Sequence, residues 1–253
     1  MSKGDVIEVL NTPCLVTDEA DLMERITDRV RGGHDGAWSI DFTNVHIVAM
    51  RKVDPAFREE TSKVDWFVPD SQILTLAARL RGAGENERVY GPAFLDYFIR
   101  HADESLTHYF LGASQDCLEK LIAQLQEKRP GLKIAGSQNG YFSQEDEEEI
   151  NAVINRVRPD LVWVGLGTPK QQNWIHRNKG KVEAGALLAV GFAFDVNAGT
   201  KKDAPAWLGK CGLLWLYRFM CEPRRLFKRY AVYNTVFLWH FSLQLIGFGS
   251  QSK

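Results

Sequence analysis

Leu161-Val162-Trp163-Val164 and Ala186-Leu187-Leu188-Ala189-Val190 decide the fold. Both runs are apolar at every position. They lack the in/out alternation of a half-exposed strand, so each reads as a strand covered on both faces. Working outward, His108-Tyr109-Phe110-Leu111 and Leu132-Lys133-Ile134-Ala135 read as two more strands. Leu118, Leu121, Ile122 and Leu125 keep helical spacing between these two, until Arg129-Pro130-Gly131 ends the helix. Ile150, Val153, Ile154 and Val157 share a face of the next helix, which Ser143-x-x-Asp146 is expected to open. Strand and helix alternate, which predicts an α/β fold: a Rossmann-like parallel sheet with helices on both faces. Such sheets bind ligands at the carboxyl ends of their strands.

The first half is less regular. Trp38-Ser39-Ile40-Asp41-Phe42 and Asp65-Trp66-Phe67-Val68 read as strands, and 45–50, 73–80 and 94–99 as helical stretches. No repeat or low-complexity linker divides the chain. The expected organisation is an α/β body over 1–200, built in two halves. A basic-aromatic helical appendage follows over 201–253.

The 253 residues are 45% hydrophobic, enough for one large core. A net charge of −1 argues against a polyanion binder, so no nucleic-acid partner is expected. Met1-Ser2-Lys3-Gly4-Asp5 lacks the pattern of a secretion signal, and the cytoplasm is the expected compartment. Cys14, Cys117, Cys211 and Cys221 form no Cys-x-x-Cys pair and the histidines do not cluster, so no metal site and no cofactor are expected.

Three strand ends carry polar, glycine-bearing sequences: Ala135-Gly136-Ser137-Gln138-Asn139-Gly140-Tyr141, Gly165-Leu166-Gly167-Thr168-Pro169-Lys170-Gln171-Gln172, and Gly191-Phe192-Ala193-Phe194-Asp195 through Gly199. Glycine lets the backbone approach a ligand, and a helix beginning near Thr168 would offer N–H groups to a diphosphate. Each loop alone is more simply an ordinary βα turn; three at neighbouring strand ends favour a site. No dinucleotide fingerprint, phosphate loop or Asp-x-Asp pair occurs. Diphosphate charge would therefore fall to backbone N–H groups and to Lys or Arg.

In the last third, Trp207, Trp215, Tyr217 and Phe219 interleave with Arg218, Arg224, Arg225, Lys228 and Arg229, and no charged residue falls between Ala231 and Gly249. That pattern fits attachment to an anionic membrane surface, with packing on the body, an oligomer contact or a true span as the other readings.

Taken in order, these residues resemble the WecG/TagA/CpsF glycosyltransferase family (glycosyltransferase family 26). The matching pieces are Gly136-Ser137-Gln138-Asn139-Gly140-Tyr141-Phe142, Gly167-Thr168-Pro169-Lys170-Gln171, Gly191 with Phe194-Asp195 and Gly199, Ala204-Pro205 with Trp207, Trp215-Leu216-Tyr217-Arg218, Glu222-Pro223 and Arg229-Tyr230. Asn44, Asp70 and Arg88-Val89-Tyr90-Gly91 fit a weaker first half. The resemblance implies an inverting, metal-independent hexosyltransferase of bacterial cell-envelope polysaccharide synthesis. It would use a UDP-sugar carrying N-acetylmannosamine, its uronate or glucose. The acceptor would be a sugar on undecaprenyl diphosphate, at the cytoplasmic face of the plasma membrane. Asp70 becomes the candidate general base, with Asn44 and Gln171 as further catalytic candidates. Gly136, Gln138, Asn139, Gly167, Thr168, Lys170, Asp195, Arg218, Arg224 and Arg225 become candidates for substrate binding. In the body over 1–200, the resemblance implies that the first half supplies the base and the second half the nucleotide-sugar side; a homo-oligomer is left open.

Several positions depart from the family pattern. Phe42-Thr43-Asn44 stands at its Thr-x-Asn, Asp70-Ser71 at its Asp-Gly, and Gln172, Asp203 and Leu214 where an acid, a base and an acid are usual. Two other classes compete with the transferase. A soluble nucleotide-dependent oxidoreductase or epimerase would leave the tail unexplained; a non-catalytic membrane adaptor would leave the polar strand ends unexplained.

Overall fold

The computed structural model describes residues 6–33, 36–84, 86–205, 208 and 213–247, without the side chains at 214, 225, 228 and 229. Expectations that rest on Trp207, Cys211, Arg225, Lys228 or Arg229 lie outside the described residues and side chains.

The centre is an eight-stranded sheet. Its strands in chain order are β1 (Val6–Val9), β2 (Thr12–Leu15), β3 (Trp38–Thr43), β4 (Trp66–Pro69), β5 (Thr107–Gly112), β6 (Lys133–Gln138), β7 (Leu161–Gly165) and β8 (Ala186–Ala189). In space the order is β1-β2-β4-β3-β8-β7-β5-β6, and every pairing is parallel except β1 with β2. The antiparallel β1–β2 hairpin was not legible in the sequence. Its turn residues Leu10 and Asn11 both have positive φ, and leucine is a poor signal for that conformation.

The chain steps from β3 outward to β4, while β8 returns from the far half to lie on the other side of β3. Strand direction across the sheet therefore leaves a crevice at the carboxyl ends of β3, β4, β7 and β8.

Side-chain alternation along the strands loads both faces, as the unbroken apolar runs predicted. Ile40, Phe42, Phe110, Trp163 and Leu188 point to one layer, formed by α1 (Glu19–Arg31), α5 (Gly91–His101), α6 (Gln115–Lys128) and α9 (Ala193–Asn197). Tyr109, Leu111, Val162, Val164 and Leu187 point to the other, where α7 (Glu147–Val157) and α8 (Lys170–Asn178) pack. On that face, over the first half, lie α2 (Val45–Val53), α3 (Pro55–Glu60) and α4 (Gln72–Leu80).

Ser143-x-x-Asp146 does not open a helix. The Ser143 N–H and Oγ–H both donate to Asp146 Oδ2, at 2.7 and 2.8 Å, making a turn ahead of α7, which starts at Glu147.

The C-terminal helices are α10 (Leu214–Cys221) and α11 (Pro223–Leu245). Along α11, Leu226, Tyr233, Phe237, Phe241 and Gln244 are spaced by seven, four, four and three residues, which sets them on one face. Phe237 and Phe241 are buried against Val45, Val48 and Ala49 of α2 and Leu74 of α4, and Gln244 Oε1 accepts from the Leu10 N–H at 3.2 Å. Phe227, Val232, Leu238, Trp239, Leu245 and Ile246 recur on the opposite face and are exposed. The helix is thus apolar on two sides, and among the described residues only one is covered. Among the described residues no helix is long and apolar enough to cross a membrane.

Candidate active site

A cavity of about 980 Å³ opens at the carboxyl ends of the strands, between the body and α10–α11. Asn44 enters it directly after β3, Asp70 after β4, the loop 166–169 after β7, and Gly191 after β8.

Asp70 is fixed from two directions. Its backbone N–H donates to the Thr43 carbonyl at 2.7 Å, and its Oδ1 accepts from the Gly91 N–H at 2.9 Å. Ser71, not Asp70, caps α4, so the carboxylate is not consumed as a helix cap. Burial pushes the Asp70 carboxyl up from its ordinary range; Arg218, the Gly91 N–H and Arg88 oppose that shift, and Asp203 adds to it.

Asn44 does cap a helix. Its Oδ1 accepts from the His46 and Ile47 N–H groups at 3.0 and 3.4 Å, which leaves its amide nitrogen as the group available to a ligand. Gln171 is buried on the cavity wall, and its Oε1 accepts from the Gly167 N–H at 3.1 Å. The Gly167 N–H is therefore spent within the loop. Gly167 serves the site through its shape: φ is +76°, a conformation that favours glycine. The Thr168–Pro169 peptide is cis, and α8 begins just beyond it. Lys170 is exposed at the cavity edge and has no carboxylate partner among the described residues.

Asp195 of α9 lines the cavity and is engaged by Thr200 Oγ1 at 3.2 Å and Lys201 Nζ at 3.7 Å. Arg218 of α10 lines it from the opposite side. Its Nη2 donates to Tyr90 Oη at 2.7 Å, and its guanidinium lies 4.8 Å from the Phe192 ring centroid. Burial works against the Arg218 charge, but the Tyr90 hydroxyl and Asp70 outweigh it, so its pKa is raised.

Asp70, Asn44, Gln171, Gly167, Thr168, Lys170, Asp195 and Arg218 are thus brought to one cavity. Gly136, Gln138, Asn139 and Arg224 are not on its wall. Gly136 answers a packing need instead: a Cβ there would fall 2.8 Å from the Tyr109 ring. Asn139 builds a turn by accepting from the Tyr141 N–H at 3.1 Å, which sets Gly140 and Tyr141, its neighbours, on the wall. Arg224 is exposed on the first turn of α11.

Arg88, Phe192, Lys201 and Tyr230 also line the cavity, though nothing in the sequence singled them out as site residues; nor did it single out Tyr90, which accepts from the cavity residue Arg218. Arg88 and Tyr90 were visible as part of Arg88-Val89-Tyr90-Gly91, beside the glycine that orients Asp70. Among the described residues, no three His, Cys, Asp or Glu side chains gather into a group that could hold a metal.

The sequence model of the glycosyl transferase WecG/TagA/CpsF family matches residues 7–251. Relatives carry the name N-acetylglucosaminyldiphosphoundecaprenol N-acetyl-beta-D-mannosaminyltransferase. The one from Bacillus spizizenii is 28% identical over 173 residues, covering 68% of this chain and 66% of its own length. The Bacillus subtilis relative is 28% identical over 187 residues, 74% of this chain and 72% of its own. For that of Staphylococcus aureus the figures are 28% over 184 residues, and 72% of each chain. With the family match running almost end to end over a parallel α/β sheet, this chain belongs to the WecG/TagA/CpsF glycosyltransferase family.

Proposed function

We propose that this chain is an inverting hexosyltransferase. It moves N-acetylmannosamine, its uronate or glucose from a UDP-sugar to a sugar carried on undecaprenyl diphosphate, without a divalent metal. The observation that carries this reading is Asp70: a carboxylate held by the Gly91 N–H on a cavity that also presents Arg88, Arg218 and Lys170. The names of the relatives supply the acceptor class and one of the sugars.

In this reading the acceptor hydroxyl attacks the anomeric carbon while Asp70 takes its proton. The bond to the donor phosphate breaks on the opposite face, and UDP leaves with the electron pair. The Asn44 and Gln171 amide nitrogens hold sugar hydroxyls, and Asp195 accepts from one. Lys170 and Arg218 meet the diphosphate, which supplies on the protein what a metal would otherwise supply.

The uncovered face of α11 gives the lipid side. Phe227, Leu238 and Trp239, with Met220 on α10, are exposed, while Cys221, Leu226, Tyr230 and Asn234 of the same two helices line the cavity. Peripheral attachment at the cytoplasmic face would deliver a lipid-linked sugar to Asp70 without a spanning helix. The division into a body over 1–200 and a membrane-facing unit over 201–253 belongs to the same proposal.

The test is a panel of UDP-sugars against a short lipid-diphosphate-sugar acceptor, with the product linkage determined. A melting-temperature screen with UDP and NAD separates the oxidoreductase reading: a rise with NAD and none with UDP would sink the transferase.

A further inference from the structure

One phenol fastens the segment after Gly199 to the body. Tyr90 is buried at the entry to α5, and its hydroxyl meets two residues of that segment: it accepts from Arg218 Nη2 at 2.7 Å and donates to Asp203 Oδ1 at 2.8 Å. A guanidinium only donates and a carboxylate only accepts, so the single phenolic hydrogen has one place to go. Asp203 takes that hydrogen, and the oxygen lone pair is left aimed at Arg218. Asp203 and Arg218 are fifteen positions apart in the chain and are tied through the body by this one oxygen.

The Arg218 guanidinium also lies 4.8 Å from the Phe192 ring centroid and 5.5 Å from that of Tyr90. Its Nε is buried and has no hydrogen-bond partner among the described residues, although the side chain lines the cavity that holds Asp70. A buried charged donor left unmatched is costly, and an anion entering the cavity would satisfy it.

We infer that Tyr90 and Asp203 are positioning residues, which hold Arg218 so that its unmatched Nε–H meets the diphosphate of a nucleoside-diphosphate donor. The inference rests on the donor reading above. It adds two residues that touch no reacting atom and act only through Arg218. Asp203 is exposed, so replacing it leaves the core intact.

The experiment is a calorimetric titration of UDP into the full-length protein and its variants. Arg218→Ala is expected to weaken UDP binding about tenfold or more, and Tyr90→Phe several-fold, since a charge-assisted bond or its orientation is lost. The Tyr90→Phe/Arg218→Ala double variant should bind no more weakly than Arg218→Ala alone. Asp203→Ala should weaken binding several-fold, whereas Asp203→Asn, which still accepts from the phenol, should stay within about twofold of the parent. A merely structural role would give independent effects and no rescue by asparagine. UDP binding by the parent, with Tyr90→Phe and Asp203→Ala unchanged or with multiplying losses in the double variant, would overturn the inference alone. No UDP binding by the parent would remove the donor reading and the inference with it. Should Tyr90→Phe fail to fold, the two Asp203 variants decide.

Discussion

The Gly91 N–H donates to Asp70 Oδ1 at 2.9 Å, joining the first residue of α5 to the residue that follows β4. A helix packed on one face of the sheet and the end of a strand within it thereby aim one carboxylate into the cavity. An asparagine can accept the same hydrogen bond, so Asp70→Asn should leave the melting temperature and UDP affinity close to the parent. Transfer should fall by roughly 10²–10⁴-fold, the usual worth of a general base. Unchanged turnover would remove Asp70 from that role.

The pH dependence of transfer follows from the same carboxylate. Burial raises its pKa above the ordinary aspartate value of about 3.9. The base works only when ionised, so kcat/KM should fall as pH drops through that raised value. The acid limb should therefore lie at higher pH than an ordinary aspartate would give, and it should disappear from the residual activity of Asp70→Asn.

Asp41 lies one strand away from Asp70 and is wholly buried. Its Oδ2 accepts from Gln172 Nε2 at 2.7 Å, and Thr43 Oγ1 donates to Oδ1. Burial pushes its pKa up to about 6, against the pull of those two hydrogen bonds and of Arg51. A folded-state pKa above the unfolded one means that the native protein binds this proton more tightly. Its contribution is therefore full below about pH 4 and is lost as pH rises through about 6, by roughly 1–3 kcal/mol. Asp41→Asn should raise the melting temperature at pH 8 and match the parent near pH 4. A half-turn of the Gln172 amide would also give its buried, unpartnered Oε1 a donor. A lower melting temperature at pH 8 would show that the fold depends on the charge.

The two faces of α11 should separate stability from attachment. Phe237 is 1% exposed and packs on α2, so Phe237→Ala should cost about 3–5 kcal/mol in denaturant unfolding. Trp239 is 65% exposed, so Trp239→Ala should change stability by less than about 0.5 kcal/mol while reducing sedimentation with anionic vesicles. Equal vesicle binding by parent and Trp239→Ala would remove that face from the membrane reading.

At the strand ends, Gly112 should tolerate no side chain. Its φ is +141°, and a Cβ would lie 2.4 Å from the Gly165 backbone, where β5 and β7 run side by side. Gly112→Ala should destabilise by several kcal/mol, beyond the usual range of about 0.5–3 kcal/mol for single substitutions. A melting temperature within a degree of the parent would contradict the close approach.

The second half of the fold was legible because β7 and β8 are apolar at every position and α6 and α7 keep strict helical spacing. The first half was harder to read. In α1, Leu22 and Ile26 supply the only fully buried positions among many charges, and the β1–β2 turn places Leu10 at positive φ. For the site, residues at strand ends were found, because the fold class itself says where ligands bind. Tyr90 and Lys201 were not, because their roles arise from contacts across more than a hundred residues of sequence or from a segment with no regular pattern. Gly136 shows the converse: a motif glycine there answers an aromatic neighbour and not a ligand. The apolar spacing of α11 exposed its amphipathic character but could not assign its faces, since both sides carry large apolar residues.

The central claim is the transfer itself. The most direct measurement incubates the purified chain with UDP-N-acetylmannosamine, its uronate or UDP-glucose and a short lipid-diphosphate-N-acetylglucosamine, with a chelator present, and determines the anomeric configuration of the product. The account predicts one disaccharide-lipid of inverted configuration, formed with release of UDP and lost in Asp70→Asn. A product that retains the donor configuration, or transfer that survives Asp70→Asn, would contradict it.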